Sequence, residues 1–317
     1  MNKTKKKTAA KILYSVSEDP LEFYLSEEIA TYAKAKPFDV FYDNSEHNVR
    51  LLKGDCIKIL NQARENSVDM IFVDPPYFLS NGGITCHAGK MVSVNKGKWD
   101  KSKGIKENHK FNLEWLEACQ RVLKPNGTIW VSGTTHIIYS VGFAMQELGY
   151  KILNDIVWYK RNAPPNLSCR YFTHSTEIVL WAAKGQKSKH YFNYQLMKTF
   201  SKGKQMRNLW QFTEEEEVQT VDNVWTITSP PPNEKRFGKH PTQKPVELLR
   251  RILLASSKEG DLILDPFCGS STTGVAAVLL NRKYVGIDLE DDYLALSKKR
   301  LEEVIKRPTL LNLQVAL

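Results

Sequence analysis

The chain predicts an α/β fold on a largely parallel sheet, and three observations carry the prediction. From residue 49 onward, short apolar runs such as DMIFV, GTIWVSG, DLILD and KYVGID alternate with stretches at helical spacing. Those runs stop at Asp, Gly or Pro, the residues that end strands and open ligand-facing turns. The 317 residues are 42% hydrophobic, enough to bury the core of one large domain or of a domain with an insert.

VRLLKGD reads as a strand ending in Gly54-Asp55, CIKILNQAR as a helix, and SVDMIFVDPPY as a buried strand stopped by two prolines. FNLEWLEACQRVL is amphipathic, and Lys-Pro-Asn-Gly marks its end. GTIWVSG is an apolar strand, YSVGFAMQELGY a helix, and ILNDIVWYK and HSTEIVLWAAK are strands. Regular signals resume with PVELLRRILLASS as a helix, DLILD as a strand, TTGVAAVLLN as a helix, KYVGID as a strand and DDYLALSKKRLEEVIK as a helix. The expected organisation is an extension over 1–45, a first half over 46–184, an insert over 185–238 and a second half over 239–317. The insert is polar, carries the acidic run Glu214 to Glu217 and ends in Pro230-Pro231-Pro232. Irregular segments on a rigid scaffold host recognition, although one that merely covers the sheet edge would read the same way.

Forty-five Lys and Arg against 35 Asp and Glu leave a net charge of +10, an argument about partners rather than fold. Lys90, Lys96, Lys98, Lys101, Lys103, Lys106 and Lys110 crowd a Gly/Asn/Ser-rich stretch around Trp99, facing only Asp100 and Glu107. That density suits nucleic-acid phosphates; a solvated loop would carry the same lysines. The insert offers Arg207, Asn208, Gln211 and Arg236, types able to read base edges. No run approaches the roughly 18 apolar residues of a membrane span, and MNKTKKKTAAKILYSV has no long apolar segment of a secretory signal. The five cysteines are scattered and never form C-x-x-C, so neither a disulfide framework nor a metal site is expected, and a reducing cytoplasm fits.

Two segments carry chemistry. In LILDPFCGSSTTGVAAVLL an apolar strand ends in Asp265, a small-residue turn follows and a helix opens at the Thr pair. Small residues let the backbone approach a ligand, and helix N-terminal amides face it. The turn lacks the lysine of a nucleotide-triphosphate loop. Asp288 ends the strand KYVGID 23 positions beyond Asp265, where an acid can accept from both hydroxyls of a ribose. Together these point to a nucleoside-containing cofactor. The other segment is Asp74-Pro75-Pro76-Tyr77 at the end of DMIFV. A carboxylate, a proline carbonyl and an aromatic ring available to stack make an acceptor-rich corner, suited to an exocyclic amine that must donate two hydrogen bonds.

D-P-P-Y, K-H-P-T-Q-K-P and D-P-F-C-G-S-S-T-T-G, in that order, resemble the permuted β class of DNA amino-methyltransferases over about residues 46 to 305. DPPYFLSNGG and NLSCRYFTHSTE are similar to the DpnA type of adenine methyltransferase found in restriction-modification systems. The resemblance implies a Rossmann-like, S-adenosylmethionine-dependent methyltransferase fold. Such a fold has a mostly parallel twisted sheet, helices on both faces and an inserted target-recognition region. It implies methyl transfer to adenine N6 of a base turned out of its duplex. Asp74, Pro75, Pro76 and Tyr77 would hold the base. Asp55, Cys56, Asp74, Asp265, Pro266, Phe267, Gly269, Ser270, Ser271, Thr272 and Leu289 would line the cofactor, Asp288 would hold its ribose, and His240, Thr242 and Lys244 would close over its methionine end. Cys268 departs from the small alanine of many relatives. DNA is the implied partner, with a cognate restriction endonuclease in the same system (no direct contact implied) and, since dimers are frequent in the class, a second copy of the chain.

Cytosine N4 stays open as the acceptor, as do an RNA base and a protein glutamine. The glutamine enzymes resemble this chain through an N-P-P-Y corner, but place the cofactor motif first. Cytosine C5 chemistry needs a cysteine after a proline, and none of the five follows one.

Overall fold

The computed structural model describes residues 38–307, apart from 81–83, 88–89, 94–95, 161–162, 164, 167–168, 211–224, 227–229 and 239. Most of the expected N-terminal extension, residues 1–37, lies outside the described residues. Strands β1 (Asp39–Asn44), β2 (Val49–Lys53) and β3 (Val68–Val73), with α1 (Cys56–Gln62) between the last two, come first among the described residues. A separate hairpin of β4 (Ile84–His87) and β5 (Lys90–Ser93) follows, and then a 3₁₀ turn at Lys98–Asp100. Next come α2 (Ile105–Val122), β6 (Leu123–Gly133), α3 (Ile138–Glu147), β7 (Lys151–Tyr159) and β8 (Thr176–Ala183). Residues 185–238, expected as an insert, hold α4 (Tyr194–Thr199), β9 (Leu209–Trp210) and β10 (Trp225–Thr226). The end of the chain supplies α5 (Val246–Ser256), β11 (Leu262–Asp265), α6 (Thr272–Leu279), β12 (Lys283–Asp288) and α7 (Asp291–Lys306).

The main sheet runs β1-β2-β12-β11-β3-β6-β8-β7-β10, with β9 also beside β7. Pairs from β2 through β12, β11 and β3 to β6 are parallel, while β1 and β8 run antiparallel to their neighbours. Strand alternation divides the core. Ile71, Val73, Ile129 and Val131 face α1, α2 and α3, whereas Met70, Phe72 and Trp130 face α5, α6 and α7. Such near-continuous apolar strands are what a sheet buried on both faces requires. Among the described residues, no helix is long and apolar enough to cross a membrane.

Three features differ from the sequence reading. Asp39–Asn44, expected within the N-terminal extension, is the edge strand of the sheet and pairs with β2. The lysine-rich stretch is not one loop: it is divided among a hairpin, a 3₁₀ turn and the first turns of α2, which begins at Ile105 rather than near Phe111. Lys124-Pro125-Asn126-Gly127, expected as a turn, is an excursion within β6, whose pairing with β3 passes from Leu123 directly to Thr128. A Cβ at Gly127 would lie 2.9 Å from the Asp69 carbonyl, so the chain passes there only without a side chain.

Candidate active site

The parallel strands bring five carboxyl ends to one edge, the place where open α/β sheets bind ligands. Gly54-Asp55 follow β2, Asp288 ends β12, Asp265 ends β11, Asp74 follows β3 and Ser132 lies near the end of β6. Because β12 and β11 insert between β2 and β3, acids nearly 200 positions apart become neighbours. β8 runs antiparallel to β6, so its first residues lie at this same edge and Glu177 joins the group, while Lys160 follows the end of β7.

At Asp74, Oδ1 accepts from Ser132 Oγ (2.6 Å) and Tyr77 Oη (2.7 Å), and Oδ2 accepts from Lys244 Nζ (2.6 Å). The Tyr77 ring is only 5% exposed, with its hydroxyl turned inward to Asp74, so the sequence expectation of a ring free to stack on a base is not met. A buried phenol needs an acceptor, and Asp74 is the nearest one, ahead of Ser132 (3.1 Å) and Glu177 (3.5 Å). Lys96 and Lys244 each place an ammonium 5.4 Å from the Tyr77 ring centroid. Phe78 adopts a left-handed conformation (φ 58°). On either side of it, the buried Asp100 carboxylate accepts the backbone N–H of Tyr77 (3.0 Å) and of Leu79 (3.1 Å), as well as Ser80 Oγ (2.8 Å). Asp100 therefore shapes the corner.

Beside the corner opens a cavity of about 1120 Å³, counting its mouth. Asp55, Cys56, Pro266, Phe267, Gly269, Ser270, Thr272 and Leu289 line it as expected, together with Pro76, Asp74, Asp265 and Asp288. Ser271 does not: it is buried behind the turn, in a left-handed conformation (φ 50°) ahead of α6, and accepts from Tyr284 Oη. Gly269 (φ 50°) also needs its missing side chain, since a Cβ would sit 3.0 Å from the His240 ring. Helix α7 clamps this turn from behind, through Ser297 Oγ to the Gly269 carbonyl (2.7 Å) and Arg300 to the Ser270 carbonyl (2.5 Å). Trp99 lines the cavity and stacks on His240 (6.5 Å), whose other neighbour is Tyr293 (4.3 Å). Burial holds the His240 imidazole down to about 4, so this aromatic rim is uncharged at neutral pH.

The DNA methylase family, N6_N4_Mtase, matches residues 68–299. The chain belongs to that family. It is 54% identical to the type II methyltransferase M2.LlaDCHI of Lactococcus lactis subsp. cremoris, and 52% identical to M2.DpnII of Streptococcus pneumoniae. Each match spans 259 residues, 81% of this chain and 91% of the relative. The crystal structure of the M1.HpyAVI–SAM complex aligns with a TM-score of 0.55 at 27% identity, covering 80% of this chain and 98% of that one.

The residues of this DNA methylase fit the cofactor of its family, S-adenosylmethionine. Asp288 Oδ2 accepts from Gly269 N–H (2.8 Å) and Oδ1 from Glu290 N–H (3.0 Å), and a carboxylate has about four acceptor sites, so two remain for ribose hydroxyls. Burial pushes Asp288 up to about 6 and Asp265 up to about 7; both are buried acids with polar partners rather than solvated surface groups. Asp55 caps α1 by accepting from Lys58 N–H (3.1 Å) and holds the opposite wall. Lys244 lines the cavity too, but its ammonium is committed to Asp74 rather than free above a methionine end.

The lysines and insert residues expected at DNA separate. Lys101 and Lys103 are exposed just after the 3₁₀ turn, Lys90 opens β5 and Lys98 opens the 3₁₀ turn. Lys96 and Trp99, expected in a phosphate-contacting segment, reach instead into the corner and the cavity. Asn208 donates to the Asp155 carbonyl and carboxylate (both 3.1 Å), anchoring the sheet edge, and Arg236 pairs with Glu303 of α7 while lying over the Phe237 ring. Arg207 is exposed, and Gln211 lies outside the described residues. Sequence reasoning passed over Ser132, Glu177, Asp100, Ser297 and Arg300. The signal for Asp100 was its isolation as an acid among lysines; the others carry none, because only sheet pairing and helix packing bring them in.

Proposed function

We propose that this enzyme methylates the N6 amino group of adenine in DNA at specific sites, using S-adenosylmethionine. The observation that carries the reading is the Asp74 carboxylate, fixed by Ser132 and Tyr77 at the rim of a nucleoside-sized cavity. When bound, the cofactor supplies an electrophilic sulfonium methyl. Asp74 accepts the hydrogens of the target amine and offsets the positive charge that builds on its nitrogen. Ser132 and Tyr77 prevent the carboxylate from turning away, and Asp100 holds the backbone that presents it. Cys56 and Cys268 also line the cavity, but burial pushes both thiols up, so neither offers a thiolate for covalent chemistry.

The target amine of a paired base is out of reach inside a duplex, so the base enters extruded. The exposed Lys101 and Lys103 bear on phosphates, and the insert over 185–238 sets sequence preference. The enzyme works in the cytoplasm beside a restriction endonuclease of the same system. The deciding experiment supplies labelled methyl donor to DNA, RNA and protein in parallel, then digests the labelled product to nucleosides. N6-methyl-2′-deoxyadenosine from DNA is the expected product. N4-methylcytosine would move the acceptor to cytosine, and label confined to RNA or protein would overturn the reading.

A further inference from the structure

Three donors already converge on the Asp74 carboxylate, and one of them occupies the place of a substrate group. Oδ1 serves Ser132 and Tyr77, and Oδ2 serves Lys244 Nζ at 2.6 Å, an ammonium where the target amine has to donate. An ammonium left there would neutralise the carboxylate and repel the cation that grows on the amine during transfer. A second partner waits close by: Glu177 Oε2 lies 3.8 Å from Lys244 Nζ. Lys244 and Glu177 have side chains only 7% and 8% exposed, so neither drifts into solvent. Tyr77 Oη bridges the two carboxylates, 2.7 Å from Asp74 and 3.5 Å from Glu177. Burial alone would raise Glu177, but Lys244 and Lys160 hold it down to about 2, so it stays an anion ready to receive a cation.

We infer that Lys244 is a placeholder that holds the amine site of Asp74 until a base enters and then shifts to Glu177, making both positioning residues for base capture. The flexible stem of a lysine and its compact charge suit a short move between carboxylates; the planar fork of an arginine would hold both at once. The surrounding charges permit the move. Lys96, Lys160 and Lys244 balance Asp74, Glu177 and Asp100, so moving Lys244 from one acid to the other leaves the total charge of the corner unchanged. A seated base then takes Oδ2, and Glu177 keeps the displaced ammonium from being stranded in a buried site.

This inference rests on the reading that an extruded base donates its amine to Asp74, and wild-type methylation of DNA checks that reading first. The test compares E177Q, K244Q, K244R and E177Q/K244Q by KM for DNA, kcat, calorimetric affinity for S-adenosylmethionine, and fluorescence of 2-aminopurine placed next to the target adenine. E177Q should raise KM for DNA at least tenfold and lower the fluorescence of base entry, with cofactor affinity within twofold of wild type. Adding K244Q to E177Q should restore most of the KM, since no ammonium is then left to displace. K244R should be worse than K244Q in KM for DNA, because the guanidinium locks both acids. Wild-type methylation together with additive penalties for E177Q and K244Q, with K244R outperforming K244Q, or with cofactor affinity lost in K244Q would overturn the placeholder role.

Discussion

Replacing Asp288 by asparagine tests the cofactor half of the site, and its effect can be worked from four hydrogen bonds. In the native turn each carboxylate oxygen takes one backbone N–H, from Gly269 at 2.8 Å and from Glu290 at 3.0 Å, and keeps one acceptor site for the cavity. An asparagine has a single oxygen, so its NH₂ must face one of those N–H groups, and one ribose hydroxyl loses its acceptor. A hydrogen bond to a charged group contributes about 1.5–3 kcal/mol. The loss of one on the ligand side therefore lowers affinity for S-adenosylmethionine by about 10- to 150-fold. Calorimetry at pH 8, where the native carboxylate is ionised, reads this directly. The pH series adds a second check. Burial pushes Asp288 up to about 6 while ribose donors need the anion, so native affinity holds above pH 7 and falls as pH drops through 6. The asparagine variant lacks that limb. Stability runs the other way: Asp288 and Asp265, raised to about 6 and 7, bind protons more readily folded than unfolded. Their contribution to the unliganded fold grows as pH falls from 7 towards 4, so weakened binding at pH 5.5 is not unfolding caused by these acids. Unchanged affinity of the variant at pH 8, or native affinity flat down to pH 5, would remove Asp288 from the ribose site.

Asp74→Ala should abolish methyl transfer while calorimetry still shows cofactor binding; near-normal turnover would refute the acceptor role. Asp100→Ala strands the N–H groups of Tyr77 and Leu79, at about 1–3 kcal/mol each, so it should lower the melting temperature and turnover together, with Asp100→Asn intermediate. An Asp100→Ala protein with native melting and rate would show that the corner stands without it. Neutralising Lys101, Lys103 and Lys106, all exposed, should weaken binding to every duplex alike and flatten the salt dependence by about 0.9 per lost contact; a change confined to certain sequences would contradict a phosphate role. Exchanging residues 185–238 for the corresponding segment of a relative should alter which sites are modified, read by sequencing methylated DNA, whereas an edge-covering role predicts lost stability with the same sites.

Much of the sheet and the chemistry of its ends could be read along the chain. The apolar runs that became β2, β3, β6, β11 and β12 are continuous because both faces are buried, and a local pattern suffices to reveal that. Asp74 and Asp265 were legible because each precedes a proline that cannot continue its strand, and Asp288 because it ends an apolar run 23 positions beyond Asp265. Local signals failed where the partner is remote. The edge strand Asp39–Asn44 has no distinctive run and exists because β2 offers it a partner. Asn208 and Arg236 look like readers of bases, yet one anchors β7 and the other grips α7, since a polar side chain takes whatever partner the fold brings closest. Glu177 lies 103 positions beyond Asp74 and reaches it only because β8 runs antiparallel to β6. The sequence by itself determined the strands, the turn residues and the acids at their ends, because these depend on spacing within a few residues. Which acid holds a cofactor wall, which cation sits on the catalytic carboxylate, and which lysines remain free for DNA were decided by strand order and direction, because electrostatics acts across space between elements that only the tertiary fold makes neighbours.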